Sequence, residues 1–199
     1  MPQDELQLFR QNLTYAEDLV ATAVALSAQV TAAINTDDLL RSALVQGVSA
    51  FDHFVHEEVR ARMILIQQGK LPRPAGFDRF RVSLRSVAVS MSATDTTWLE
   101  SEIREQHGYL SFQHPDKVAD AFRYVTDVSL WQAIALQIGS SPASARRQLK
   151  LIVDRRNKIA HEADTDVTPP RTRYPINEGD VRDSLTFLGV LVNAIVTVI

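Results

Sequence analysis

The chain has 199 residues, enough for one domain with a real hydrophobic core and too few to demand two. Hydrophobic residues at 45% and charged residues at 23% are globular values that exclude disorder as a description of the whole. The absence of cysteine excludes disulfides, thiolate metal sites and a cysteine nucleophile, and a net charge of −3 argues against a generic polyanion binder, so any nucleic-acid role must rest on a local patch.

Met1 to Arg10 carries acids where a signal peptide would have a basic start and an apolar run, so a cytoplasmic location is the expectation. From Glu5 to about Ile34, Leu6, Phe9, Leu13, Leu19, Val20, Val24 and Ala28 recur near helical spacing and predict a long helix. "NTDD" at 35–38 supplies a break and helix-start residues, and the pattern resumes from Leu39 to about Gln68. "GKLPRPAG" at 69–76 is a turn-rich connection. Shorter helices are expected over about 77–90, within "TDTTWLESEIREQHGYL", within "HPDKVADAFRYV", and over 127–138. A serine cap and Pro142 open a further helix running to about Ala163, and a loop with Pro169, Pro170 and Pro175 separates it from a last helix over about 178–199. The apolar end, "LTFLGVLVNAIVTVI", is shorter than the roughly 20 residues of a membrane span, contains Asn193, and reads as a core helix in preference to an anchor. No strand alternation is evident. The expected fold is all-α, one domain over 1–199, a bundle of four main helices with shorter ones inserted at about 70–140.

The segment "VDRRNKIAHEAD", 153–164, carries the chemistry. At about 100° per residue, Leu149, Ile152, Val153, Arg156, Ile159, Ala160 and Ala163 share one stripe, so Arg156 lies within an apolar face. A guanidinium cannot shed its charge there and needs acceptors from a partner helix, a bound anion or a second subunit. A second strip holds Arg147, Lys150, Asp154, Lys158 and His161, with Asn157 between the two. A cation-rich face that ends in an imidazole suits a phosphodiester; a solvated basic face with a structural histidine is the competing reading.

Arg156-Asn157-Lys158-Ile159-Ala160-His161 resembles the Arg-x4-His pattern of the HEPN superfamily of helical ribonucleases and RNA-binding domains. "LIVDRRNKIAHEAD", before one last apolar helix, looks like the RiboL-PSP-HEPN branch, and "SAFDHFVHEEVR" at 49–60 resembles an early helix of that branch. The resemblance implies metal-independent endoribonuclease activity without a cofactor, often in toxin–antitoxin, antiphage or stress systems, from a homodimer whose motif helices meet. RNA is the implied substrate, and an antitoxin or effector complex a further partner. His161 and Arg156 are then the catalytic pair, with Asn157 beside them to orient the imidazole, cap or cross-link helices, and Arg147, Lys150, Arg155 and Lys158 the phosphate contacts. The tyrosine two residues after the histidine that nucleotide-transfer control requires is replaced by Ala163.

Arg156 and His161 project about 140° apart on an ideal helix, so they converge only if the helix ends near Ala160 or across a dimer. Asp164 either tunes His161 or closes the helix, closure being the preferred reading. Asp52 and His56, with His53 and Glu57 nearby, are either a second layer behind the motif or an ordinary polar flank; a metal there lacks further ligands. Arg171 and Arg173 would extend the basic surface, and Trp98, Tyr109, Phe112 and Trp131 are read as core in preference to base-stacking rings. The alternatives to a nuclease are a non-catalytic RNA-binding or protein-interaction module and a structural dimerisation bundle.

Overall fold

Apolar spacing at helical period accounts for the two long helices that open the chain, α1 (Pro2–Ser27) and α2 (Asp37–Gln67). The structure is a computed structural model that describes residues 2–29, 35–166 and 168–199. The expected extension of α1 to Ile34 reaches residues 30–34, which lie outside the described ones. Phe9, Leu13, Ala16, Val20 and Ala23 form the buried stripe of α1, and Phe9 meets Phe54 of α2 with ring centroids 5.7 Å apart. α2 is buried along nearly its whole length because α1, α7 and α8 all pack on it.

Five further helices follow: α3 (Leu84–Ser90), α4 (Thr97–His107), α5 (Pro115–Phe122), α6 (Leu130–Gln137) and α7 (Pro142–His161). A single 3₁₀ turn at Phe77–Arg79 stands where the sequence suggested the start of a helix. Ser141 caps α7 by accepting the Ser144 amide at 3.1 Å, and Pro142 occupies its first turn. His114 caps α5 in the same way, accepting from the Asp116 amide at 3.3 Å. A Cβ at Gly76 would sit 1.8 Å from the carbonyl oxygen of Arg123, so only glycine lets the 3₁₀ turn lie against the end of α5.

α8 (Glu178–Val198) is long and apolar enough to cross a membrane by length and composition. Val181, Leu185, Leu188, Leu191, Val192 and Ile195 are nevertheless core residues, and the helix packs on α1, α2 and α6. The main bundle is therefore α1, α2, α7 and α8, as the spacing predicts. One detail differs: α6 belongs to the expected insertion yet packs against both α7 and α8, because Leu130, Trp131, Ile134 and Ala135 give it a buried face. Trp131 also donates its indole N–H to the Pro115 carbonyl at 3.0 Å, which ties α6 to α5.

Candidate functional site on helix α7

α7 runs in regular form through His161 and turns out of the helix only at Ala163 and Asp164, both left-handed at φ 51° and 57°. The Lys158 carbonyl accepts from the Glu162 amide at 3.0 Å and from the Asp164 amide at 2.9 Å, which closes the helix end. Leu149, Ile152 and Val153 are buried, Arg156 and Ile159 half-buried, and Ala160 and Ala163 exposed. The apolar stripe thus ends sooner than its periodicity suggested, because the chain beyond Glu162 folds away from the helix axis.

His161 is exposed at the last helical position. Arg156 donates from Nη1 to the Asn157 side-chain oxygen at 3.0 Å, while its Nε is buried and has no hydrogen-bond partner among the described residues. Leaving such a donor unpaired costs roughly 1–3 kcal/mol, so an acceptor arriving from outside the chain would be favoured there. The same hydrogen bond directs the Asn157 amide to Arg156 and not to the imidazole. With the helix regular, Arg156 and His161 do not converge within one chain.

Asp164 is fully buried and sits between two arginines. Arg41 donates from Nε to its Oδ2 at 2.8 Å, Arg155 donates to the same oxygen at 2.9 Å, and Arg155 Nη1 lies 2.7 Å from Oδ1 as an ion pair. The Asp164 carbonyl accepts the Tyr174 amide at 2.8 Å; the Tyr174 carbonyl accepts from Arg41 at 2.9 Å, and the Pro175 carbonyl from Arg155 at 2.9 Å. Asp164 therefore closes the helix and bolts its end to the start of α2 and to the 173–175 segment. Arg155, expected among the phosphate contacts, is occupied by this buried carboxylate, which makes it a structural anchor. Arg41 and Tyr174 escaped the sequence reading. Arg41 precedes Leu44, Val48, Phe51 and Val55 on one apolar stripe of α2, the same signal that drew attention to Arg156.

The remaining cations divide. Lys158 lies over the Tyr174 ring at 4.7 Å, Lys150 pairs with Asp154, and Arg173 pairs with Asp38 at 2.6 Å. Arg147 and Arg171 are exposed. Among the described residues no group of three or more His, Asp or Glu is placed to hold a metal ion.

Asp52 and His56 are not brought to the motif within one chain. Arg41 marks the level of the motif's end on α2, and His56 stands 15 residues further on, about 22 Å along the helix axis. Asp52 instead accepts the Phe112 amide at 2.6 Å and the Gln113 side-chain amide at 3.1 Å, holding the connection between α4 and α5. His56 stacks near Phe112 with centroids 4.4 Å apart. His53, Glu57, Arg60 and Arg104 share a pocket of about 310 Å³ with His56 and His107. Burial works to raise the Glu57 carboxyl, but Arg60 and Arg104 outweigh it and hold it below its ordinary value.

His107, at the end of α4, is buried among Phe80, Phe112 and Tyr124, and burial together with the charge of His56 pushes its pKa down to about 4. The folded chain keeps this imidazole neutral while an unfolded chain takes up its proton near pH 6.5. Stability is therefore expected to fall as pH drops from about 6.5 to 4, by up to about 3 kcal/mol, and His107→Phe should flatten that slope. Urea titrations of both proteins at pH 7 and pH 5 check this; parallel losses in the two would assign the acid sensitivity elsewhere.

Comparison with curated proteins and with solved structures finds no match. A family model does match, described as RiboL-PSP-HEPN and covering residues 11–199. The match spans the bundle, the inserted short helices and the motif helix with its Arg156 and His161, and this all-helical chain belongs to the RiboL-PSP-HEPN family of the HEPN superfamily.

Proposed function

We propose that the chain is a metal-independent endoribonuclease that works as a homodimer, with Arg156 and His161 of each copy facing a shared RNA strand. The observation that carries this reading is the half-buried Arg156, whose Nε lacks a partner among the described residues, five positions before an exposed histidine on the same helix. A guanidinium offers a phosphate a fork of parallel donors, and an unpaired donor is the one most relieved by an incoming oxyanion.

Cleavage by the neighbouring 2′-hydroxyl needs a base to take the 2′-proton as that oxygen bonds phosphorus. It also needs an acid to protonate the 5′-oxygen as the P–O5′ bond breaks. One His161 cannot easily serve both, and two copies related by a two-fold axis supply one for each role. The pair of Arg156 side chains would stabilise the charge that builds on the phosphorane oxygens. The same axis answers the divergence of Arg156 and His161 within one chain, since each copy can complete the other's site.

The test is incubation of purified protein with an end-labelled RNA pool in excess EDTA, with the product termini determined and the subunit mass measured in solution. Cutting in EDTA that leaves 2′,3′-cyclic phosphate and 5′-hydroxyl ends is expected. A protein that retains RNA without cutting it is a binding module, and one indifferent to RNA is a structural bundle. Binding through phosphates would reveal itself by a steep loss of affinity with salt.

A further inference from the structure

We propose that the cleft between the end of α4 and α5 binds a single planar nucleobase, presented either by an RNA strand or by a free nucleotide. Phe80, His107, Tyr109, Phe112 and Tyr124 bring aromatic rings from three stretches of chain to one opening, with Lys117 at its edge. Its volume of about 220 Å³ lies below the roughly 300–1,000 Å³ of pockets for drug-sized molecules, which suits one ring system better than a whole nucleotide.

The rings are held before any ligand arrives. Phe80 meets Tyr124 edge-on at 5.4 Å and His107 at 5.8 Å, and His107 meets Phe112 at 5.1 Å. The two Asp52 hydrogen bonds fix the loop that carries Phe112, so Asp52 and His56 serve this cleft and leave the motif to other residues. Because His107 stays neutral above about pH 4, it adds a ring to the wall without placing a cation in it. Tyr109, 80% exposed at the lip, is a large ring left without a packing partner in a chain that buries Phe112 and Trp131.

The rim selects among flat ligands. Asp120 at the cleft edge is already paired with Arg123 at 2.8 Å, while the Lys117 side chain makes no hydrogen bond or ion pair among the described residues and is free to meet a phosphate, and Ser111 offers a hydroxyl at the same edge. An apolar side chain would fill the walls but leave these groups unused; a base joined to a phosphate uses both. The cleft lies at the opposite end of α7 from His161, since α5 reaches α7 through Asp116 and Arg146. It is therefore a second contact and not part of the motif.

The experiment uses the full chain carrying His161→Ala, so that binding is read without turnover. The probes are a single-stranded RNA oligonucleotide containing 2-aminopurine and free 2-aminopurine riboside 5′-monophosphate. Stacking should quench 2-aminopurine fluorescence, and Tyr109→Ala or Ser111→Trp, both at exposed positions, should weaken the quenched complex about 5- to 150-fold. Quenching of the oligonucleotide alone identifies a strand-binding subsite, and quenching of both probes a nucleotide site. No quenching of either probe, or quenching that survives both substitutions, overturns the proposal. The nuclease reading fails separately, through absence of cutting by the chain that retains His161.

Discussion

His161→Ala is expected to lower RNA cleavage by about 10²- to 10⁴-fold, the typical contribution of a positioned proton-transfer group, while the melting temperature stays put. The second half follows from exposure: the imidazole sits at the last helical position, and surface substitutions away from caps and networks usually stay within about 0.5 kcal/mol. Cleavage time courses and thermal melts on the same preparations separate the two effects. An unchanged rate would remove His161 from the chemistry, and a collapse in stability would make lost activity uninformative. Arg156→Ala should behave differently, since it removes an unpaired donor and relieves the folded state even as it weakens the hold on phosphate.

Asp164→Ala is expected to be the most destabilising substitution near the motif, at about 3–5 kcal/mol. The reason is asymmetric desolvation. Arg41 is only 4% exposed, and without the carboxylate its charge stays buried against Asp37, Asp38 and a carbonyl that cannot replace it. At about 2–4 °C per kcal/mol for a chain of this size, the melting temperature should drop by roughly 6–20 °C. A double-mutant cycle with Arg41→Ala tests the coupling: the double variant should lose clearly less than the sum of the single ones. Strict additivity would show that the two side chains do not depend on each other. Because the Asp164 carboxylate also holds Arg155, which donates to the Pro175 carbonyl at 2.9 Å, its loss should loosen the last helical turn and reduce any activity of His161 along with stability.

The two adjacent arginines show where reading a helical wheel stops. Arg155 and Arg156 are both cations beside a histidine, and residue type cannot tell which one is spent internally. Arg155 is committed to Asp164, a residue nine positions on that turns back in a left-handed conformation, whereas Arg156 keeps a donor unused. Asp164 was legible as a helix-closing residue, since it stands just past the last periodic position. Its burial was not, because Arg41 lies 123 residues away in sequence.

Local patterning determined the number and order of the long helices, the turn-rich break after α2, the cap of α7, and the placement of an arginine and a histidine near the end of a helix before an apolar one. These depend on neighbours three or four residues apart, and one strand of sequence contains all of them. Tertiary packing alone decided that Asp52 and His56 support the α4–α5 connection, that α6 joins the main bundle, and that Arg41 and Asp164 bolt α2 to the motif helix. It also left Tyr109 exposed while burying Phe112 three residues later. Each of these turns on which distant groups share a buried space, and that is set by how the helices stack and where connecting loops fold back, not by periodicity along any one helix.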